Sequence, residues 1–480
     1  MTEDPRVGDL SADEARRALL LAAEMAADYL EGSGRYPVLP DVRPGEVLAA
    51  LPEEPPEEGE AMEAILADYR RLIEPATTHW NHPGFLAYFA ITGSAPGVAA
   101  ETLAAALNVN AMLWRTSPAA TELEERACGW VRRMLGLPES FAGHVNDTAS
   151  TSTLVALAAA RDELAGLPGA EVRRRGMAGR ADLPPLVVYA SDQAHSSVDK
   201  AAIVLGIGQE KVRRGASDER FRLDPAELAR EMAADRQAGR VPMAVVATVG
   251  TTSTTSVDPV AEIAELCASE RAWLHVDAAY AGPAATCPEL RGHFAGWERA
   301  DSVVVNPHKW MFVPVDCSLL FVRDAARLRR AFSLVPDYLA TDEAEATNLM
   351  DLGFQLGRRF RALKLWMVIR AFGVEGIRRR IRAHCALARR LAERIEAHPA
   401  LELAAPVPFS AVCFRPVEGG DEAARRLLDA VNADGRFLLS HTVLRGRYTL
   451  RVAIGNLRTG EATLDALWER IAAEAVRGTA

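Results

Sequence analysis

Lys309 lies just past a β-branched run, Ser302-Val-Val-Val-Asn306, in the segment Asn306-Pro-His-Lys309-Trp. The run predicts a buried strand, the Asn-Pro pair stops it, and Lys309 is then expected on a loop at the strand's C-terminal end. That is the edge at which open α/β sheets keep their ligands. Trp273-Leu-His-Val-Asp277 predicts a second strand with an acid at its tip, one strand-helix-strand unit before the lysine. The two tips can face one pocket. An amine and a carboxylate placed in this way suit pyridoxal phosphate, whose aldehyde takes an amine as a Schiff base and whose ring nitrogen needs an anion to stay protonated. For either residue alone, an ordinary salt bridge beside a core strand is the plainer reading.

Other strand ends carry polar groups of the same kind. Asp192-Gln-Ala-His195-Ser-Ser follows an apolar run at 186–190, and Thr248-Val-Gly250-Thr-Thr252 follows another at 243–248. A lone histidine is more often structural than catalytic, but His195 shares a sheet edge with Lys309 and Asp277, where it could lie flat over a pyridine ring. His308 either holds a phosphate or shapes the turn. Asp147-Thr-Ala-Ser150-Thr-Ser-Thr153 precedes a helical run at 154–161. Small hydroxyl residues there can cap the helix, and the same free N–H groups can hold a phosphate; the segment by itself favours neither. His79 and His82 have metal-like spacing, but there is no third ligand and Pro83 breaks the helix that would align them. A structural or pocket-lining role is expected, and no metal.

The elements that must position these groups follow from periodicity. Ser11-Ala-Asp-Glu14 is a capping box that opens an amphipathic helix to Leu30, and a Pro/Glu-rich connector at 51–58 leads to a second helix at 61–73. Two helices on such a tether cannot bury both apolar faces unaided and should wrap onto something else, such as a second subunit. From Ala95 onward, strands at 186–190, 243–248, 273–277, 302–305 and 318–322 alternate with helices, which predicts a mostly parallel sheet covered on both faces. Past Phe372, Arg-rich helices and strands at 411–414 and 448–453 predict a small α+β domain. The expected division is 1–94, 95–371 and 372–480.

With 480 residues, 49% hydrophobic, the chain is expected to be globular with more than one domain, and its net charge of −10 argues against nucleic acid or an anionic membrane as partner. Six scattered cysteines without framework spacing predict reduced core thiols and a cytoplasmic protein. No apolar run reaches membrane-spanning length. The sequon at Asn146 is read as chance.

Four of these segments, 192–197, 247–252, 275–280 and 306–310, resemble in order and spacing the group II pyridoxal-phosphate decarboxylases, and within them the aromatic-L-amino-acid decarboxylase branch. His79-Trp80-Asn-His-Pro83, Ser117-Pro-Ala-Ala-Thr-Glu-Leu-Glu124 and Leu356-Gly357-Arg-Arg-Phe-Arg361 extend the resemblance over nearly the whole chain. It implies a pyridoxal-phosphate-dependent transferase fold of type I, with a mostly parallel seven-stranded sheet, a small C-terminal α+β domain and an N-terminal helical segment that clasps a partner in a homodimer. It also implies roles. Lys309 forms the Schiff base, Asp277 pairs with the pyridinium nitrogen, and His195 and Ala279 cover the two ring faces. Thr148, Ala149, Ser150 and Asn306 hold the phosphate with His308 close by, and Thr248 lies near Asp277. Trp80, Tyr88 and Phe89 line the substrate pocket. A carboxylate about 4 Å from the ring nitrogen contributes roughly 4 kcal/mol at an effective dielectric of 20, against about 0.3–1 kcal/mol from a helix dipole. Asp277 should therefore dominate the electronics.

Tyr338 matches a loop tyrosine that, in this family, protonates the carbon left after decarboxylation; aldehyde-synthase relatives replace it by phenylalanine or replace the stacking histidine. With Tyr338 and His195 both present, decarboxylation to an amine is expected over oxidative deamination. The polar loop at 340–347 should close over substrate. Gly357 matches a glycine that leaves room for bulky rings, which favours an aromatic amino acid. Ala90-Ile91 and Asn108-Val-Asn-Ala-Met112 depart from the family's pocket pattern. The rival readings are an aldehyde synthase, a decarboxylase of a non-aromatic amino acid, and a non-catalytic scaffold.

Overall fold

The computed structural model describes residues 8–163, 171–334 and 346–477. Its large sheet contains β1 (Ala142–Asn146), β2 (Leu186–Ser191), β3 (Val212–Gly215), β4 (Val241–Thr248), β5 (Trp273–Asp277), β6 (Ser302–Val305) and β7 (Ser318–Val322), in the order β1-β7-β6-β5-β4-β2-β3. β7 is antiparallel to both its neighbours, and the other strands share one direction. Hydrophobic alternation is absent from β5, β6 and β7 because all their residues are buried. Period-two geometry then sorts successive side chains into two cores. Val187, Tyr189, Val245 and Ala247 pack with Ile263 and Cys267 of the helix Val260–Glu270. Val188, Ala190, Ala244 and Val246 pack on the other face with Val155–Ala160 of the helix Ala149–Glu163. Each fully buried Val or Leu contributes about 1.5–3 kcal/mol.

β1 and β3 were not expected. β1 reads Ala-Gly-His-Val-Asn, with no apolar run, and it exists because its neighbours need it. A Cβ on Gly143 would come 2.6 Å from the Cys128 Cβ, so glycine lets the helix Pro118–Leu135 pack directly against the strand. β3 is a short edge strand whose Arg213 reaches Asp235 at 2.9 Å.

The small α+β unit is a four-stranded antiparallel sheet, β8 (Leu401–Leu403), β9 (Ala411–Pro416), β10 (Ser440–Leu444) and β11 (Arg447–Ala453), in the order β10-β11-β9-β8. The helices Gly420–Asn432 and Glu461–Arg477 complete its core. The helix Ala362–Glu396 leads into it and breaks at Gly373, where φ is +65°. The chain near Leu86 joins this sheet as well: its N–H donates to the Leu438 carbonyl at 2.9 Å, and its carbonyl accepts from the Ala453 N–H at 2.8 Å. The N-terminal helix Ala12–Gly32 opens on the expected capping box, with Ser11 and Glu14 bonding reciprocally. Its Leu19 and Leu20 remain 63% and 59% exposed.

Candidate active site

The tips of β4, β5 and β6 lie side by side. Register sets Thr248 opposite Asp277, and Asp277 opposite Val304, so the acid sits between the two strands whose ends carry Thr248 and Asn306. Asn306 donates its N–H to the Ala279 carbonyl at 3.0 Å, which fastens the β6 exit to the β5 exit. Lys309 then projects from a single helical turn, Pro307–Trp310, and not from the loop expected of it. Proline at the first helical position has no N–H to lose and a preset φ, so the Asn-Pro pair that ends the strand also starts this turn.

Asp277 is buried, and one carboxylate oxygen accepts the Ala279 N–H at 3.0 Å while the other has no partner among the described residues. The Lys309 amine has no hydrogen bond or ion pair among them. Burial pushes its pKa down, Asp277 pulls it back up, and Arg451 pushes it down again. His195 keeps one side open to solvent, and the protein packed around its other side lowers its pKa, with Asp277 opposing and Lys309 reinforcing the shift. Its Nδ1 accepts the Ser197 N–H at 3.1 Å, which leaves the proton of the neutral ring on Nε2. The structure thus gathers Lys309, Asp277 and His195 into one electrostatic group.

His308 shapes the turn. Its Nδ1 accepts the Cys317 N–H at 2.9 Å, and burial lowers its pKa to about 3. Thr148, Ala149 and Ser150 lie at the start of the helix Ala149–Glu163, which begins earlier than expected, so Ser152 and Thr153 belong to its first turns. Asp147 is the group that engages this helix start. Burial raises its pKa, but bonds from the Thr151 hydroxyl, the Thr148 N–H and Gln355 outweigh burial and leave the carboxyl below its ordinary value. Asn146 is buried, with its amide donating to Ser152 at 3.1 Å.

Phe89 is the expected pocket residue that meets the lysine, its ring centroid 5.6 Å from the Lys309 amine. Trp80 and Tyr88 stack on each other at 5.9 Å, Tyr88 being 56% exposed. A Cβ built on Gly357 meets no atom within 4 Å, so the room reserved there opens at the surface of the single chain. Ala279 is buried beside the β5 tip. Tyr338 and residues 340–345 of the expected closing loop lie outside the described residues. His79 and His82 are structural: His79 bonds Tyr29 at 3.0 Å and stacks on Tyr36, and His82 accepts the Gly84 N–H at 2.8 Å.

Sequence reasoning missed the supports of this edge. Asp258 is buried, its carboxylate accepts the N–H groups of Thr248 and Leu223, both at 2.7 Å, and burial raises its pKa to about 6. Tyr280 stacks on Phe89 at 3.6 Å and on Trp310 at 4.8 Å, and Trp310 donates to His384 at 2.9 Å. Tyr280 lies inside a quoted motif, but its partners come from distant segments and leave no local pattern.

The arrangement fits pyridoxal phosphate. Thr248 Oγ1 and Asn306 Oδ1 are buried at the tips of the two strands that flank β5, without a hydrogen-bond partner among the described residues, and the Asp277 oxygen and Lys309 amine at the same edge are likewise unpartnered among them. A ligand carrying an aldehyde, a basic ring nitrogen and polar substituents would engage all four.

Comparison with known proteins points the same way. The model of a family described as the pyridoxal-dependent decarboxylase conserved domain matches residues 44–417. Tryptophan decarboxylase 1 of Oryza sativa subsp. japonica is 40% identical over 489 aligned residues, covering 96% of this chain and 94% of that protein. Phenylacetaldehyde synthase of Arabidopsis thaliana is 39% identical over 472, covering 95% and 94%. The crystal structure of Oryza sativa TDC with PLP and tryptamine superposes with a TM-score of 0.93 at 39% identity, covering 98% of this chain and 99% of that one.

Proposed function

Because the chain belongs to the pyridoxal-dependent decarboxylase family, we propose that it converts an aromatic L-amino acid to the corresponding amine and carbon dioxide. The observation that carries this reading is the Phe89 ring, stacked on Tyr280 and set 5.6 Å from the Lys309 amine, which puts an aromatic wall beside the reacting centre. Pyridoxal phosphate, the cofactor of this family, supplies an electron sink for the pair left when the carboxylate departs.

The chain's own residues do the rest. The unpartnered oxygen of Asp277 would hold a proton on the ring nitrogen, while Asn306 and the helix start at 148–150 would anchor the phosphate. Thr248 presents its hydroxyl beside Asp277. His195, neutral with its proton on Nε2, would lie against the cofactor ring and offer a donor there. Lys309 would hold the cofactor through its aldehyde and carry protons at its amine. The resemblance supports Tyr338 as the acid that protonates the substrate carbon.

Identity alone does not separate amine from aldehyde formation, since an aldehyde synthase is as similar to this chain as the decarboxylases are. Retention of both Tyr338 and His195 favours the amine. The deciding experiment measures carbon dioxide, amine, aldehyde and hydrogen peroxide together over a panel of Trp, 5-hydroxy-Trp, Phe, Tyr, Dopa and His. Amine equal to carbon dioxide with an aromatic substrate is expected; stoichiometric peroxide and aldehyde, or turnover of His alone, would overturn the reading.

The active form is a cytoplasmic homodimer. Exposed Leu19, Leu20, Leu103 and Leu107, an apolar groove of about 410 Å³ between the N-terminal helices, and the open room at Gly357 support a second copy. Six buried free thiols support a reducing compartment, and among the described residues no helix is long and apolar enough to cross a membrane. The division at 94/95 and 371/372 is supported by the helix that starts at Ala95 and the break at Gly373. Light scattering should give twice the chain mass; a monomer that retains full activity would count against the dimer.

A further inference from the structure

The small sheet reaches the Lys309 edge of the large one through Arg451 in β11. This side chain is buried, and no carboxylate among the described residues pairs with it. Its Nη1 donates to the Ala87 carbonyl at 2.7 Å and its Nε to the Ser253 carbonyl at 3.0 Å, while Nη2 has no partner. The guanidinium carbon lies 4.6 Å from the centroid of Phe89, the ring that also stacks on Tyr280 and meets the Lys309 amine. A buried cation without a counter-ion is a poor device for stability alone. A planar guanidinium can span two carbonyls and lie against a ring at once, which an ammonium cannot.

We propose that Arg451 is a positioning residue for the reaction: by bridging Ala87 and Ser253 and lying against Phe89, it sets the aromatic wall that faces Lys309. This rests on the aromatic-substrate reading above. Residues 87–89, the turn after β4 and the small sheet are tied together at one point, and the substrate's ring is seated by the wall they hold. The charged and titratable groups facing Lys309 are Asp277 from β5, His195 from the exit of β2, the adjacent His308, and Arg451. Arg451 opposes a proton on the Lys309 nitrogen, and Asp277 favours one.

The test uses cofactor-loaded parent, Arg451→Met and Arg451→Lys enzymes. Two quantities are read: kcat and KM for the best aromatic substrate of the panel, and, without substrate, the pH midpoint of the cofactor's absorbance change. Arg451→Met should raise KM about tenfold with kcat changed less than about threefold. It should also raise the midpoint by about one pH unit, because a repelling charge has gone. Arg451→Lys should keep the parent midpoint and still raise KM, since one ammonium cannot hold both carbonyls. Parent KM in both variants overturns the proposal, and if Arg451→Met does not fold, parent KM in Arg451→Lys alone does so. If the parent enzyme turns over no aromatic amino acid, the functional reading fails separately. The midpoint then decides: a rise confined to Arg451→Met sustains the link from Arg451 to Lys309, and no rise overturns it.

Discussion

Asp277 illustrates how much one side chain can be asked to do. It is buried at a strand tip with one oxygen committed to the Ala279 N–H and the other unpartnered among the described residues, so its charge is aimed and not spread over a network. Asp277→Asn keeps the size and removes the charge. At about 4 Å and an effective dielectric of 20 that charge contributes roughly 4 kcal/mol to keeping a ring nitrogen protonated. kcat should therefore fall by about 10²–10³-fold, read by steady-state kinetics on cofactor-saturated enzyme. A fall of less than threefold would remove Asp277 from its proposed role. Lys309, Asp277 and His195 were readable because each follows an apolar run directly, so strand geometry alone carries them to one edge. Asp258 and Arg451 were not, because their partners, from 10 to 364 residues away, follow no period and a buried ion leaves no periodic trace.

Among the elements, the turns after the strands carry the most constraint. Gly250, in the turn after β4, has φ of +90°, and an added Cβ would come 2.6 Å from the Ala281 Cβ. Gly250→Ala would therefore meet both a left-handed backbone and a clash with the segment that follows β5. It should lose about 1–3 kcal/mol of stability and loosen cofactor binding through Thr248 and Asp277, read by thermal unfolding and by cofactor retained on gel filtration. Unchanged values in both would show that the turn relaxes freely. Apolar runs and caps made β2, β4 to β7 and the N-terminal helix visible. β1 was hidden because a strand made of Ala-Gly-His-Val-Asn exists only where Cys128 and Phe321 close over its glycine. The helix after β1 was placed late because Ser150 to Thr153 read as a cap, whereas Asp147 engages the helix start and the hydroxyls lie inside.

At the scale of the whole molecule, buried neutral histidines tie stability to pH. Burial holds His275 and His384 at about 4 and His308 at about 3, whereas in the unfolded chain they take a proton near 6.5. Their contribution is complete above pH 6.5 and is lost as pH falls from there toward 4. Asp258 works the other way: burial raises it to about 6, so its contribution is complete below about pH 4 and is lost as pH rises through 6. Three groups outweigh one, and Tm should fall progressively from pH 6.5 to 4. His384→Gln, whose amide can still accept from Trp310, should flatten that slope in a calorimetric series, and a Tm that stays level to pH 4.5 would contradict the account.

Local order along this chain determined which residues stand at strand ends, that the sheet is mostly parallel, and which cofactor chemistry the lysine and the acid suit, because those depend on short-range periodicity and on turns. Tertiary structure alone decided which tips are neighbours, which polar atoms are left without a partner between them, and that a guanidinium from the small sheet braces the ring beside Lys309. Those are contacts between segments separated along the chain, by 29 residues from Thr248 to Asp277 and by 364 from Ala87 to Arg451, and only packing brings them within reach.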